Sequence, residues 1–283
     1  MGLREAHEPE RGSTDHLRVG MTTFGFLYEV TLEGALENIA RAGYRQVEIA
    51  PVPPHLLATS TDAAGRRRLK KFIDDVGLEC VSINPAELNL VSPNAEIREL
   101  AVRQYRSCLQ LAHDLGAHIQ MVVPGRRNAL IPMPEADAID LLKEQVTTLL
   151  ADAHDTGVTL ALETVPFGFI ETTSAVAAVV RELDDEMLGI AVDCANTFGK
   201  EDIAEGVRLA GSDLLMAQFS DCWRTRWAHT SIGRGEIDFD GFRHALEEIH
   251  FAGPCIYELV DGENPTPRIG DDLLTLEGRG WSR

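Results

Sequence analysis

The 283-residue chain has few aromatics (6%), five cysteines and no long apolar run. The cysteines, at 80, 108, 194, 222 and 255, stand singly without a CxxC spacing, and an odd count cannot all pair within one chain. A reduced, cytoplasmic setting is therefore expected, with Cys80 and Cys255 read as small core residues because they fall in apolar strand-like runs. No stretch approaches the roughly 20 apolar residues that cross a bilayer, and the start MGLREAHEPERGSTDHLR lacks an apolar signal core. Positive charge is scarce as well: 26 Lys and Arg against 45 Asp and Glu leave a formal charge of -19, a field that repels phosphate backbones. Nucleic acid and membrane are excluded as partners on these grounds. The one basic run, RRRLKK at 66 to 71, keeps a helical beat through Leu69 and Phe72 and reads as the solvated face of a helix.

What is present, 44% hydrophobic and 25% charged residues, suits a folded globular chain with a large core. After residue 17, short apolar runs alternate with longer helical patterns. The runs are RVGMTTF (18 to 24), QVEIA (46 to 50), LECVSIN (78 to 84), AHIQMVV (117 to 123), VTLALET (158 to 164), LGIAVD (188 to 193), LLMAQFS (214 to 220) and CIYEL (255 to 259). Glycines at 43, 116, 157, 211 and 253 follow helical stretches and are expected as left-handed caps. Eight such units in one uninterrupted sequence predict an α/β fold, a single-domain (β/α)8 TIM barrel over 18 to 283 with a short C-terminal extension. Residues 1 to 17 are expected as a flexible tail, and DDLLTLEGRGWSR either docks as a last helix or frays. The competing doubly wound sheet wants a glycine-rich phosphate turn after the first strand, and TFGFLYEV is not one.

Barrel strands alternate interior and exterior side chains. In VTLALE the apolar parity of Val158, Leu160 and Leu162 faces the helices, so Glu163 points into the mouth; the same logic in LGIAVD sends Asp193 inward. Gln218 shares the parity of Met216, and Glu258 that of Ile256. Four consecutive strands thus end in Glu163, Asp193, Gln218 and Glu258. Three carboxylates crowded together repel unless a cation sits among them. Two Glu, one Asp and an amide oxygen are hard oxygen ligands suited to Mn²⁺ or Mg²⁺. Glu48 at the end of the second strand has mouth-facing parity and is expected to touch substrate. Glu87 and Asn89 in PAELNLVSP read as turn residues or as partners of sugar hydroxyls.

From about residue 18 to 260 the chain resembles the xylose isomerase-like TIM-barrel superfamily of sugar isomerases, epimerases and related dehydratases. The matching stretches are AGYRQVEIA, GVTLALETVPFGFIETTS, LGIAVDCANTFG, MAQFSD followed by HTSIGRGEIDFDGF, and IYELV. The resemblance implies that Glu163 and Glu258 hold the metal and also act as the acid/base pair on opposite faces of the substrate, with Asp193 as a further ligand. Gln218 stands where the family usually has histidine, which favours Mn²⁺ or Mg²⁺ over Zn²⁺. Asn196 stands where a second histidine is common. Arg224 matches a substrate-contacting arginine, across the insertion CWRTRWAHTS. The endonuclease branch of the fold needs several strand-end histidines, which this chain lacks.

The expected chemistry is α-proton abstraction from a keto sugar or related polyol through a metal-stabilised enediolate, one glutamate removing the proton and the other returning it. A leaving group next to the carbanion would turn the same step into elimination, as in inosose dehydratases or the large subunits of enzymes that cleave 3-oxo C-glycosides. His229 reads either as a general acid/base or as a histidine packed on tryptophan. Trp223 and Trp227 read as an apolar wall for a substrate or as a subunit interface. A homo-oligomer is expected, or a hetero-oligomer with a smaller subunit that completes the pocket; a non-catalytic metal-binding subunit is the remaining alternative.

Overall fold

Most of the helices begin where the sequence supplies a capping oxygen; those that follow Pro134 and Arg268 do not. In the computed structural model, which describes residues 17 to 86, 88 to 166 and 168 to 283, the side chains of Thr31, Asp62, Asn94, Thr172, Asp202 and Asp238 each accept a backbone N–H of a first helical turn. Each such cap contributes about 1 kcal/mol. The elements run β1 (Val19–Thr22), α1 (Leu32–Ala42), β2 (Gln46–Ile49), α2 (Ala63–Asp75), β3 (Glu79–Ile83), α3 (Ala95–Leu115), β4 (Ile119–Val122), α4 (Glu135–Thr156), β5 (Thr159–Glu163), α5 (Thr173–Leu183) and β6 (Leu188–Asp193). They continue with α6 (Cys194–Thr197), α7 (Ile203–Ala210), β7 (Leu214–Phe219), β8 (Asp221–Trp223), β9 (Arg226–Thr230), α8 (Phe239–Glu248), β10 (Cys255–Tyr257) and α9 (Ile269–Glu277).

Strand β1 pairs in parallel with both β2 and β10, which closes the sheet in the order β1-β10-β7-β6-β5-β4-β3-β2. Closure removes the doubly wound alternative, which would leave two open edges. The apolar parity assigned from sequence separates two layers. Outside the strands, Val47, Leu160, Leu162, Ile190, Val192 and Phe219 join the shell that packs under the helices. Inside, Ile119, Met121, Ala161, Ala191, Met216 and Ile256 fill the barrel below its mouth.

In β7 both faces are apolar for a structural reason. The β6–β7 register slips between Ile190 and Ala191, so Leu215 is an extra residue, and it packs against the space left by the missing side chain of Gly189. Met216 and Gln218 therefore face inward as their parity predicts.

Three of the five cap glycines behave as expected: Gly43 (φ 109°), Gly116 (φ 78°) and Gly157 (φ 68°) are left-handed. Gly211, with φ 54° and ψ -127°, lies outside that basin, and Gly253 makes no left-handed turn at all. Helix α8 ends earlier, and His250 (φ 54°) makes the turn. Gly253 is needed instead for close approach, because a Cβ there would strike the carbonyl oxygen of Leu215.

The C-terminal stretch docks rather than frays. Tyr44 donates its hydroxyl to the Ile269 carbonyl at 3.0 Å, and Trp281 is buried with its ring centroid 4.9 Å from that of Phe219. The tail expectation for residues 1 to 16 lies outside the described residues, as does that for Glu87. Leu17 departs from the expected tail: it is buried, and its carbonyl accepts the Ser282 N–H at 3.0 Å. The basic run lies on α2, where Lys70 and Lys71 pair with Asp74 and Asp75 one turn on. All five cysteines are buried thiols, and no helix among the described residues is long and apolar enough to cross a membrane.

Candidate metal centre and active site

At the C-terminal ends of the strands the inward parity delivers polar groups instead of apolar ones. Glu48, Glu163, Asp193, Gln218 and Glu258 are all buried there, joined by Asn196 from α6 and His229 from β9. The segment CWRTRWAHTS is not a loop. It forms the antiparallel hairpin β8–β9, outside the barrel sheet, in which Trp223 pairs with Arg226 and Asp221 with Thr230. Residues 224 and 225 make its turn. Alternation along β9 puts Trp227 and His229 on one face, and that face covers the barrel mouth.

Hydrogen bonds fix the orientation of most of these groups. Asn196 donates from Nδ2 to Glu163 Oε1 at 3.0 Å and to the Thr164 carbonyl at 3.1 Å, while its Oδ1 accepts from Trp227 Nε1 at 2.9 Å. His229 places Nε2 3.3 Å from the same Oδ1 and Nδ1 2.9 Å from Ser220 Oγ. Asp193 Oδ1 accepts the N–H groups of Ala195 and Asn196, and this cap starts α6 beside the site. Glu48 accepts from Ser82 Oγ at 2.9 Å, Asn84 Nδ2 at 3.3 Å and Gln218 Nε2 at 3.1 Å.

Burial dominates the electrostatics. It raises the Glu163 and Glu258 carboxyls well above the ordinary range, and the neighbouring Asp193 charge pushes both further. Glu48 is raised to about 7 by burial, against the lowering effect of its hydrogen-bond donors. Burial lowers the His229 imidazole, against the opposing pull of the Asp193 charge, and so favours its neutral form. Among the described residues no Lys or Arg ion-pairs with Glu163, Asp193 or Glu258; only His229 Nδ1 approaches, 3.9 Å from Asp193 Oδ2 and 3.8 Å from Glu258 Oε2.

A divalent cation fits this arrangement. Asp193, His229 and Glu258 each offer a ligand atom, and these lie within 4.8 Å of one another. Asp193 Oδ2 and Gln218 Oε1 are buried oxygens without a hydrogen-bond partner, an expensive condition that a metal beside Asp193 would relieve for its Oδ2. The ligands are mostly hard oxygens, which suits Mn²⁺ or Mg²⁺. Beside them opens a cavity of about 650 Å³, walled by Glu163, Asn196, Trp227, His229, Glu258 and Val260, with Asn84 and Asn89 farther round.

The structure therefore brings together Glu163, Asp193, Asn196, Gln218, His229 and Glu258. Glu48 joins them only from below, fully buried and spent on three donors rather than lining the cavity. Trp223 and Arg224 lie elsewhere, at the hairpin tip. The Arg224 guanidinium sits 4.8 Å from the Phe198 ring centroid, and Trp223 is stacked under Arg226 at 4.1 Å. Arg224, matched across the insertion, stands in the hairpin turn and is not among the residues that line the cavity. Trp227 of the hairpin reaches the cavity, which Phe24 also lines, and the i, i+2 spacing of Trp227 and His229 is the signal that could have singled out Trp227. Asn89 spends its Oδ1 on the N–H groups of Val91 and Arg126, a loop staple at the cavity edge.

Solved structures of similar shape include a D-tagatose 3-epimerase-like protein (TM-score 0.81, 22% identity, 93% of this chain and 97% of that one). A D-psicose 3-epimerase crystallised in the presence of D-fructose aligns with TM-score 0.78 at 17% identity, over 93% of this chain and 99% of that one. The 3-keto-D-glucoside 4-epimerase of E. coli gives 0.79 at 18% identity, with the same coverage of 93% and 99%. At these identities the likeness concerns the fold. The chain is 26% identical over 244 residues to the uncharacterized protein MJ1311 of Methanocaldococcus jannaschii, covering 84% of this chain and 82% of that protein. Residues 36 to 279 match the family model of the xylose isomerase-like TIM barrel, and the chain belongs to that family.

Proposed function

We propose that the protein is a divalent-metal-dependent isomerase or epimerase that moves the proton next to the carbonyl of a keto sugar or related polyol. One observation carries the reading: two buried carboxyls, Glu163 and Glu258, line one cavity without a basic partner and with raised proton affinity. A carboxyl so placed exchanges protons with a weakly acidic C–H far more readily than an ordinary surface glutamate. Asn196 holds Oε1 of Glu163, which leaves Oε2 as the oxygen that takes or returns the proton. Glu258, which lines the same cavity, is the second proton carrier. The cavity is large enough for a monosaccharide, and Trp227 supplies an apolar wall that limits water. The residues that would hold Mn²⁺ or Mg²⁺ are the strand-end carboxylates Glu163, Asp193 and Glu258 with a fourth donor, and the ion when bound supplies a Lewis acid that polarises the substrate carbonyl. Sugar epimerases among the proteins of similar fold support the same substrate class.

The test is wash-in of deuterium α to the carbonyl of ketohexoses, followed by NMR with the purified chain and Mn²⁺. Glu163→Gln and Glu258→Gln are each expected to lower exchange by at least about a hundredfold. Exchange at the wild-type rate in either variant would remove that residue from the role.

A second reading, elimination from a 3-oxo glycoside, is favoured by one further feature. Another chamber of about 660 Å³, lined by Trp223, Arg226 and Arg234, adjoins the first along Trp227, His229 and Val260. It would suit a substituent larger than a hydroxyl. Release of the aglycone by the chain alone supports this reading; release only after a second subunit is added supports the partner-dependent form.

A further inference from the structure

We propose that His229, carried on the hairpin strand β9, is the nitrogen ligand of the metal, and that Gln218 at the end of β7 is not a ligand. The proposal rests on the metal-dependent reading above and assigns its fourth donor. It makes the hairpin part of the metal centre, in place of a barrel strand.

The tautomer of the imidazole follows from Asn196. Its Nδ2 is committed to two acceptors, Glu163 Oε1 and the Thr164 carbonyl, so its amide cannot be flipped without losing both bonds. Oδ1 then faces Trp227 Nε1 and His229 Nε2, and an oxygen accepts only from a nitrogen that carries hydrogen. Nε2 of the neutral ring is therefore protonated and Nδ1 keeps the lone pair. Metal-bound histidines show the same arrangement, with the second ring nitrogen donating to an oxygen that fixes the ring.

That nitrogen lies beside the carboxylates. Nδ1 lies 3.9 Å from Asp193 Oδ2 and 3.8 Å from Glu258 Oε2, too far for hydrogen bonds to either. Two ligands held at about 2.1 Å from one ion lie at most about 4.2 Å apart, so these separations suit an ion shared by all three. Asp193 Oδ2 is fully buried and has no hydrogen-bond partner. In the absence of an ion, Ser220 Oγ at 2.9 Å donates to Nδ1 and covers the lone pair.

Gln218 is the competing donor, and its Oε1 is also unpartnered. Its amide, however, is anchored by Nε2 to Glu48, below the cavity it does not line. In register it stands beside Asp193 on one neighbouring strand and beside Ile256, two residues before Glu258, on the other, so register does not exclude it and the hold of Glu48 on its amide is what does. A neutral imidazole is also the stronger donor for first-row divalent metals.

The experiment is a Mn²⁺ titration of the purified full chain followed by electron paramagnetic resonance, with pulsed measurement of nitrogen hyperfine coupling. The expected result is a bound ion coupled to nitrogen in the wild type. His229→Ala loses the coupling and at least about tenfold in affinity, and Gln218→Leu keeps both. Because His229→Ala could destabilise the hairpin, wild-type protein labelled with heavy nitrogen only in histidine provides a test without a variant, and the coupling must change. Bound Mn²⁺ without nitrogen coupling, or with coupling unaffected by the label, overturns the proposal and leaves the metal-dependent reading standing. Loss of affinity in Gln218→Leu but not in His229→Ala does the same. No Mn²⁺ bound by the wild type overturns both.

Discussion

Glu48 shows how one buried residue sets the pH response of the metal-free protein. Its carboxyl is raised to about 7 in the folded state, against 4.5 when free, so between those values the folded chain holds a proton that the unfolded chain has released. Stability contributed by that proton is full below about pH 4.5, falls as pH rises, and is lost above about 7; the span amounts to about 3 kcal/mol. Glu163 and Glu258 are raised as well and add to the same trend. Urea unfolding with chelator present, at about pH 5 and again near pH 7.5, is expected to show a drop that Glu48→Gln reduces by about 2 to 3 kcal/mol. An equal drop in the two proteins would mean that Glu48 is not the titrating group. A cation bound to the other carboxylates acts in the opposite sense, since it competes with protons, so added Mn²⁺ should stabilise more at the higher pH.

At the scale of elements, the hairpin β8–β9 depends on a single acid at its root. Asp221 accepts the N–H groups of Cys222 and Ile237 at Oδ1 and that of Gly233 at Oδ2, which ties the hairpin to the loop leading into α8. Gly235 packs so closely on Asp221 and Cys222 that no side chain fits there. Asp221→Ala strands these donors, and the expected cost is about 1 to 3 kcal/mol with faster cleavage by trypsin at Arg224 and Arg226. Unchanged cleavage would show that Trp227 and His229 hold the hairpin without it. From sequence this segment reads as an insertion after strand seven, although the alternation of Trp227 and His229 is a strand signal. An alignment by position hid it, because an insertion has no counterpart to be matched with.

The whole molecule is closed by its own end. Trp281 stacks on Phe219 of β7, and Ser282 bonds Leu17 just ahead of β1, so the last residues cover the same sector of shell that β1, β7 and β10 form. Trp281→Ala is expected to cost about 3 to 5 kcal/mol, read as a lower melting temperature and a lower urea midpoint at an unchanged m-value. A loss under 1 kcal/mol would mean the C-terminal segment packs only weakly.

By itself the sequence determined the barrel. Period-two alternation marks the strands, side-chain caps start most of the helices, and the inward parity of Glu163, Asp193, Gln218 and Glu258 is a local property that needs no knowledge of distant neighbours. Charge and composition likewise require no fold. The tertiary structure decided what those inward residues do. Glu48 and Gln218 meet across the barrel although 170 positions apart, because strand register sets which interior groups face each other. The same holds for Asn196 orienting Glu163, Trp227 and His229 at once, and for the hairpin that carries an imidazole over the mouth while leaving Trp223 and Arg224 at its tip. Such contacts depend on stagger, bulges and the path of an insertion, and none of these is written in the periodicity of a single strand.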